Sequence, residues 1–302
     1  MTYINSLHDG DKIVNIYLVK NKTQGTSKFG SEYFNITLQD KTGILDGKIW
    51  DTNSQSIEDF QAGDFVEITG DVILYNNNLQ IKIERLRVVD DSEYNTSDYF
   101  LVSKRSIEDM GKELDSIINS IKYTNYNLVL KKIFIDDLDF RKKFLFHQGA
   151  KNVHHSFVGG LVEHTLSVAR LAEKIASNYS FSNIDLIKTA ALCHDIGKVY
   201  ELIDYPTNEY SDQGHLIGHI MIGYEIVSNV ISTIDGFNDI KKNELLHCIL
   251  SHHGQLEFGS PKLPSLIEAI IIAAADNIDS KIEIMYEGIE NNKMSKKINL
   301  CM

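Results

Sequence analysis

Ten of the chain's 11 histidines lie after residue 146, and several are spaced to meet carboxylates. The central feature is the pair His194-Asp195, which follows the apolar run Ala190-Ala191-Leu192-Cys193 and precedes Ile196-Gly197-Lys198. Successive helical residues diverge by about 100°, so an adjacent His and Asp can present two ligands into one concavity. Three further residues fall on apolar stripes. His164 belongs to the ladder Leu161, His164, Val168, Leu171, Ile175; His252 follows Leu245 and Ile249; Asp276 follows Ala269 and Ile272. The steps of three and four place each polar group on a core-facing side. A single buried histidine is usually satisfied by a backbone partner, but a buried carboxylate behind Ile270-Ile271-Ile272 is costly unless a cation balances it.

Together His164, His194, Asp195, His219, His252 and Asp276 form an imidazole and carboxylate set without thiolates. Such donors suit Mn, Fe, Co, Ni or Zn in an open, substrate-accessible site. Six donors exceed the need of one open ion, which points to two ions bridged by Asp195. Paired ions are the usual apparatus for attack on phosphorus, one activating water and one clamping the departing oxygen. Within Ser251-His252-His253-Gly254 the choice of ligand stays open, because His253 continues Leu246 and Leu250 as well as His252 continues Leu245 and Ile249. The preferred assignment is His252 to metal and His253 to substrate or to a supporting contact.

These residues need helices to position them. The helical period runs over 107–121 and 128–146, with a turn marked by Asp136, Asp137 and Asp139, and then from Gly160 to at least Ile284. The first 90 residues read differently. Alternating apolar residues such as Phe34, Ile36, Leu38 and Leu79, Ile81, Ile83 mark about five short strands, with turn signals at 40–43 and 76–78 and room for a short helix over 54–60. That suits a small barrel of the OB type, although a sandwich or an SH3-like barrel would leave much the same pattern. The fold expected is therefore two-domain, a small all-β OB-type barrel followed by an all-α helical bundle. The expected divisions are a barrel over 1–90, a helical connector over 91–150, the metal-site bundle over 151–290 and a polar, frayed tail over 291–302.

On the barrel, Trp50 alternates with Lys48 and Asp46, on the side opposite Leu45, Gly47 and Ile49, and Tyr33 alternates with Asn35 and Thr37. Tyr33, Lys48 and Trp50 could thus offer stacking and charge to a single-stranded nucleic acid, and packing within the barrel explains the aromatics equally well. Lys20, Lys22 and Lys28 are phosphate candidates around the first hairpin.

Composition sets limits. The net charge of −12 speaks against a protein that holds nucleic acid by a basic surface. The stretch 101–150, with nine Lys/Arg against seven Asp/Glu, is the only net-basic segment. The first ten residues lack a signal-peptide pattern, and the longest apolar run, Leu266 to Ala275, falls short of the ~20 residues that span a bilayer. No membrane partner is expected. Three cysteines, Cys193, Cys248 and Cys301, argue against a disulfide framework and for a reducing cytoplasm.

The order of an early His, an HD pair, later histidines and a closing Asp resembles the HD superfamily of metal-dependent phosphohydrolases over about residues 150–285. With the barrel, the chain more closely resembles the YhaM-like 3′→5′ exoribonucleases. The resemblance is carried by His154-His155-Ser156-Phe157-Val158-Gly159-Gly160-Leu161-Val162-Glu163-His164, Gly218-His219-Ile220, Ser251-His252-His253-Gly254 continuing to Glu257-Phe258-Gly259-Ser260-Pro261-Lys262, and Ala275-Asp276-Asn277-Ile278-Asp279. It implies hydrolysis of single-stranded RNA, with DNA as a further candidate, to nucleoside 5′-monophosphates. His164, His194 and Asp276 would hold one ion, His219 and one of His252 and His253 the other, with Asp195 bridging. Manganese is the metal it favours. Lys198 would neutralise a substrate phosphate. His154 and His155 are assigned to substrate phosphates, with a structural role at the start of the following helix as the alternative. Self-association is a further implication. Two readings compete: a phosphohydrolase of free or signalling nucleotides, against which the attached barrel argues, and a non-catalytic nucleic-acid-binding scaffold with structural histidines.

Overall fold

A computed structural model describes residues 2–26, 30, 32–76, 78–100, 102–150, 157–203 and 209–299, with backbone only at 96, 287, 288 and 290–299. Two compact units divide between residues 101 and 102.

In the first unit five strands, β1 (Lys12–Thr26), β2 (Glu32–Asp40), β3 (Gly43–Ile49), β4 (Phe65–Tyr75) and β5 (Asn78–Val88), close in the order β1-β2-β3-β5-β4. Closure joins β3 to β5 in parallel through Asp46–Gln80, Gly47–Ile81 and Lys48–Lys82, while the other pairs are antiparallel. Alternation fills the barrel: Tyr17, Val19, Ile36, Leu38, Leu45, Ile49, Ile68 and Ile81 are buried. The expected helix at 54–60 is absent. Ile57 instead turns back on Ser54 and bridges Leu86, and Glu58 N donates to Leu86 O at 3.0 Å, so the segment pairs with β5 in place of coiling. Residues 91–101 stay with the barrel, eleven residues past the expected boundary. The reason is local packing: Tyr94 stacks on Phe65 at 3.7 Å, Tyr99 meets the same ring edge-on, and Asp98 accepts from Tyr3 and Lys41.

The second unit is helical: α1 (Ile107–Ser120), α2 (Thr124–Lys131), α3 (Leu138–Phe146), α4 (Gly160–Ala176), α5 (Ile184–Cys193), α6 (Lys198–Glu201), α7 (Asp212–Leu216), α8 (His219–Ser232), α9 (Asp239–Leu250) and α10 (Ile267–Asn299). A π-turn over Lys132–Asp136 separates α2 from α3, and Asp137 caps α3 by accepting from Phe140 N. The three clustered aspartates thus do mark a break, at which one expected helix becomes two. α5 is apolar on nearly every side, with Leu186, Ile187, Ala190, Ala191, Leu192 and Cys193 buried, and it packs against α4, α9 and α10. Its C-terminus brings His194 and Asp195 into the middle of this unit. The tail expected to fray from residue 291 continues α10 to Asn299. Lys293, Met294, Lys296 and Lys297 are good helix formers, so polarity alone did not predict fraying. No helix among the described residues is long and apolar enough to cross a membrane.

Candidate active site

Three helices and two turns converge on Asp195. His164 comes from α4, His219 is the first residue of α8, and Asp276 lies on α10. His194 and Asp195 occupy the turn after α5, while His252 and His253 sit in the turn just past α9. His252 is therefore beyond the helix whose stripe it continues. Gly197 lets the HD turn press against α8, since a Cβ there would collide with the carbonyl oxygen of His219.

The donors form two groups around one carboxylate. His164, His194 and Asp276 offer atoms all within 4.8 Å of one another, as do His219, His252 and His253. Asp195 reaches both: Oδ2 is 3.4 Å from Nε2 of His164 and of His194, and Oδ1 is 3.5 Å from Nε2 of His219 and of His252. His253 Nε2 lies 3.3 Å from His219 Nε2. Spacing left the choice between His252 and His253 open, and the geometry gives both imidazoles a place in the same group.

Every imidazole in the cluster is oriented from behind. Nδ1 of His164 contacts Asp279 at 2.8 Å, and Nδ1 of His219 contacts Glu201 Oε1 at 2.8 Å. Nδ1 of His194, His252 and His253 donates to the carbonyls of Ala191, Ile249 and Phe258, each at 2.7 Å. With Nδ1 engaged outward, all five rings aim Nε2 inward, the arrangement by which supporting acceptors fix metal-binding histidines. Asp279 is itself held by Ser167. Glu201 and Asp279 were not assigned from sequence. Both stand three residues beyond an assigned group, Lys198 and Asp276, so helical spacing was the available signal.

The interior is unbalanced without a cation. Asp195 Oδ1 and His252 Nε2 are buried and make no hydrogen bond among the described residues. Orphaned acceptors of that kind cost free energy that a positive ion removes, so the donor set fits a divalent metal. Burial opposes ionisation of Asp195, but Lys198, then His194 and His164, hold its carboxyl well below the usual range. Lys198 Nζ is 2.7 Å from Asp195 Oδ2, and although burial works against its charge, Asp195 raises its pKa. For His164 burial works downward, yet hydrogen bonds to Asp195, Asp276 and Asp279 push the imidazole well above its ordinary value. Burial depresses His252 and His253.

The site opens into a cleft of about 490 Å³ lined by Asp195, Lys198, His219, His253 and Asp276 with Tyr210, Phe258, Asn277 and the backbone at Gly149 and Ala150. His154 and His155 lie outside the described residues. Cys193 and Cys248 are buried thiols whose pKa values burial raises.

On the barrel, Tyr33 and Trp50 face each other at 5.1 Å, and Lys48 Nζ stands 4.9 and 5.0 Å from their centroids. Trp50 is 49% exposed, so the face is open to a ligand. Tyr75, also exposed, adds a third ring at 6.0 Å from Lys48. It was missed because it lies at the end of β4, distant in sequence from β3. Among the proposed phosphate contacts, Lys22 is otherwise engaged: it donates to Phe60 O at 2.7 Å and covers the Phe34 and Phe60 rings. Lys20 is exposed, and Lys28 lies outside the described residues.

Comparison with known proteins follows the same division. An HD domain family model matches residues 161–281, and an OB-fold nucleic acid binding domain model matches 18–89. The 3′-5′ exoribonuclease YhaM of Listeria welshimeri is 31% identical over 285 residues, covering 94% of this chain and 90% of that protein. A 3′-5′ exoribonuclease YhaM from a Geobacillus species is 30% identical over 285 residues, covering 94% of this chain and 87% of its own length.

Proposed function

Because the chain belongs to the YhaM 3′-5′ exoribonuclease family, we infer that it removes nucleotides from the 3′ end of single-stranded RNA in a metal-dependent reaction. The observation that carries this reading is the set of five inward-facing Nε2 atoms around a buried, under-bonded Asp195. We propose two divalent ions, one that His164, His194 and Asp276 would hold and one that His219, His252 and His253 would hold, with Asp195 between the two groups. Manganese is the metal that the resemblance to the family favours, and Fe, Co, Ni and Zn share the imidazole and carboxylate donor chemistry. Divalent ions held there supply Lewis acidity and an acidified water for attack on a phosphodiester.

The chain's own residues do the rest. Asp279, Glu201 and the carbonyls of Ala191, Ile249 and Phe258 hold each ring in the tautomer that leaves Nε2 available. Lys198, on the cleft wall, is the ammonium that a scissile phosphate meets, and its role is charge neutralisation at a point. On the barrel, Trp50, Tyr33, Lys48 and Tyr75 support the binding of single-stranded nucleic acid by stacking and charge, a mode that DNA would share. A cytoplasmic setting and self-association complete the proposal.

The test is a time course on single-stranded RNA labelled at the 5′ end, with Mn²⁺. A ladder shortening one nucleotide at a time, with release of 5′-monophosphates and loss of activity on chelation or in Asp195→Ala, is expected. RNA that stays intact under Mn²⁺, or cleavage only inside the strand, contradicts the reading.

A further inference from the structure

Beside the cleft lies a smaller pocket of about 220 Å³, and His219, His253, Glu201 and Phe258 line both. Ile217, Met221 and Pro261 complete its apolar walls. We propose that this pocket receives the base of the 3′-terminal nucleotide, stacked on Phe258, while the rest of the strand continues through the larger cleft. The proposal rests on the exoribonuclease reading and assigns a place to the nucleoside about to be released.

Phe258 has the character of a prepared platform. Its residue is 59% exposed, an unfavourable place for a ring unless something covers it. Its backbone is nonetheless pinned on a short 3₁₀ turn, Leu256–Phe258. Phe258 N donates to Gln255 O at 3.2 Å, Gly259 closes the turn with φ 85° by donating to Leu256 O, and Ser260 Oγ donates to Leu250 O. The Phe258 carbonyl is also the acceptor that orients His253. The Phe258 backbone is thereby fixed relative to an imidazole of the metal group, where a phosphate would lie one nucleoside away.

The pocket's chemistry selects a base over a phosphate or sugar. Among the described residues its one carboxylate is Glu201, whose Oε1 is committed to the backbone N and Nδ1 of His219. Among the described residues no Lys or Arg lines it to take an anion, whereas Lys198 lines the larger cleft. Apolar walls and an aromatic face match the π-surface that all four bases share, so recognition here is blind to base identity. The size fits one terminal unit, the pocket having less than half the volume of the cleft.

The experiment compares RNA oligomers ending in an ordinary or an abasic 3′ nucleotide, with the full chain, Phe258→Ala and Phe258→Trp, each first checked for Mn²⁺ binding by calorimetry. Wild type should lose about tenfold in kcat/KM on the abasic end, mostly through KM, as expected for one stacked base. Phe258→Ala should show that loss on ordinary RNA and no further loss on the abasic end, and Phe258→Trp should restore sensitivity to the base. Cleavage by Phe258→Ala that stays as base-sensitive as wild type overturns the proposal alone. So does sensitivity that appears only when the abasic unit is moved to the penultimate position. Absence of any metal-dependent cleavage by the wild-type chain overturns the exoribonuclease reading and this proposal together.

Discussion

Five imidazoles surround Asp195, and what each can do depends on the acceptor at its back. Asp279 and Glu201 are the two ionic acceptors in that ring of support, the others being backbone carbonyls. Replacing Asp279 with Asn removes the charge that fixes the His164 tautomer while leaving a group of the same size. We expect Mn²⁺ affinity to fall by about 10- to 100-fold in a competition titration, the usual effect of losing a supporting partner. His164 makes a second prediction. Burial lowers its pKa, but the three carboxylates dominate and raise it well above 6.5, so the metal-free protein carries a proton there near neutrality. An incoming ion must displace that proton. Mn²⁺ affinity should therefore rise with pH until the raised folded pKa is passed, with proton release detected by titration in buffers of different ionisation enthalpy. Affinity that is flat between pH 6 and 8 contradicts this account. At this scale the sequence revealed inward-facing groups such as His164, His252 and Asp276, because each sits on or continues an apolar stripe. It did not reveal Glu201 and Asp279 as supports, since their role exists only once α6 meets α8 and α10 meets α4.

Elements place these residues, and the barrel shows how. β2 and β3 pair so that Asn35 opposes Lys48, and the next register step sets Phe34 against Ile49, which turns Tyr33 and Trp50 to the outer face. Lys48 stands over both rings. Trp50→Ala should leave the barrel folded, since the ring is half exposed, and should weaken RNA binding by about 1–3 kcal/mol per stacked base. The loss should appear in KM for long RNA, with kcat nearly unchanged; an unchanged KM removes Trp50 from the binding face. Strand positions were legible because alternation has a period of two whatever the neighbours. The segment 54–60 was not, because its conformation comes from the bridge between Ile57 and Leu86, a contact 29 positions distant in sequence. Tyr75 was likewise hidden: its relation to Lys48 is made by barrel closure.

For the whole molecule, the charge of −12 and a nucleic-acid substrate look opposed. They are reconciled if the anionic groups at the centre are taken up by cations and if the barrel binds mainly by stacking, so that few side chains neutralise phosphates. RNA affinity should then depend weakly on salt, with a log–log slope of magnitude below about 2, since each phosphate neutralised on a single strand contributes roughly 0.7. A steep slope would place the contacts on lysines elsewhere. The account's central claim is a two-ion centre built on Asp195, and metal content tests it most directly. The purified chain is saturated with Mn²⁺, passed through a desalting column and analysed by elemental mass spectrometry beside Asp195→Ala. Two ions per wild-type chain, with loss of bound metal in the variant, is the predicted result. One ion or none in the wild type, or a content that Asp195→Ala leaves unchanged, would contradict it.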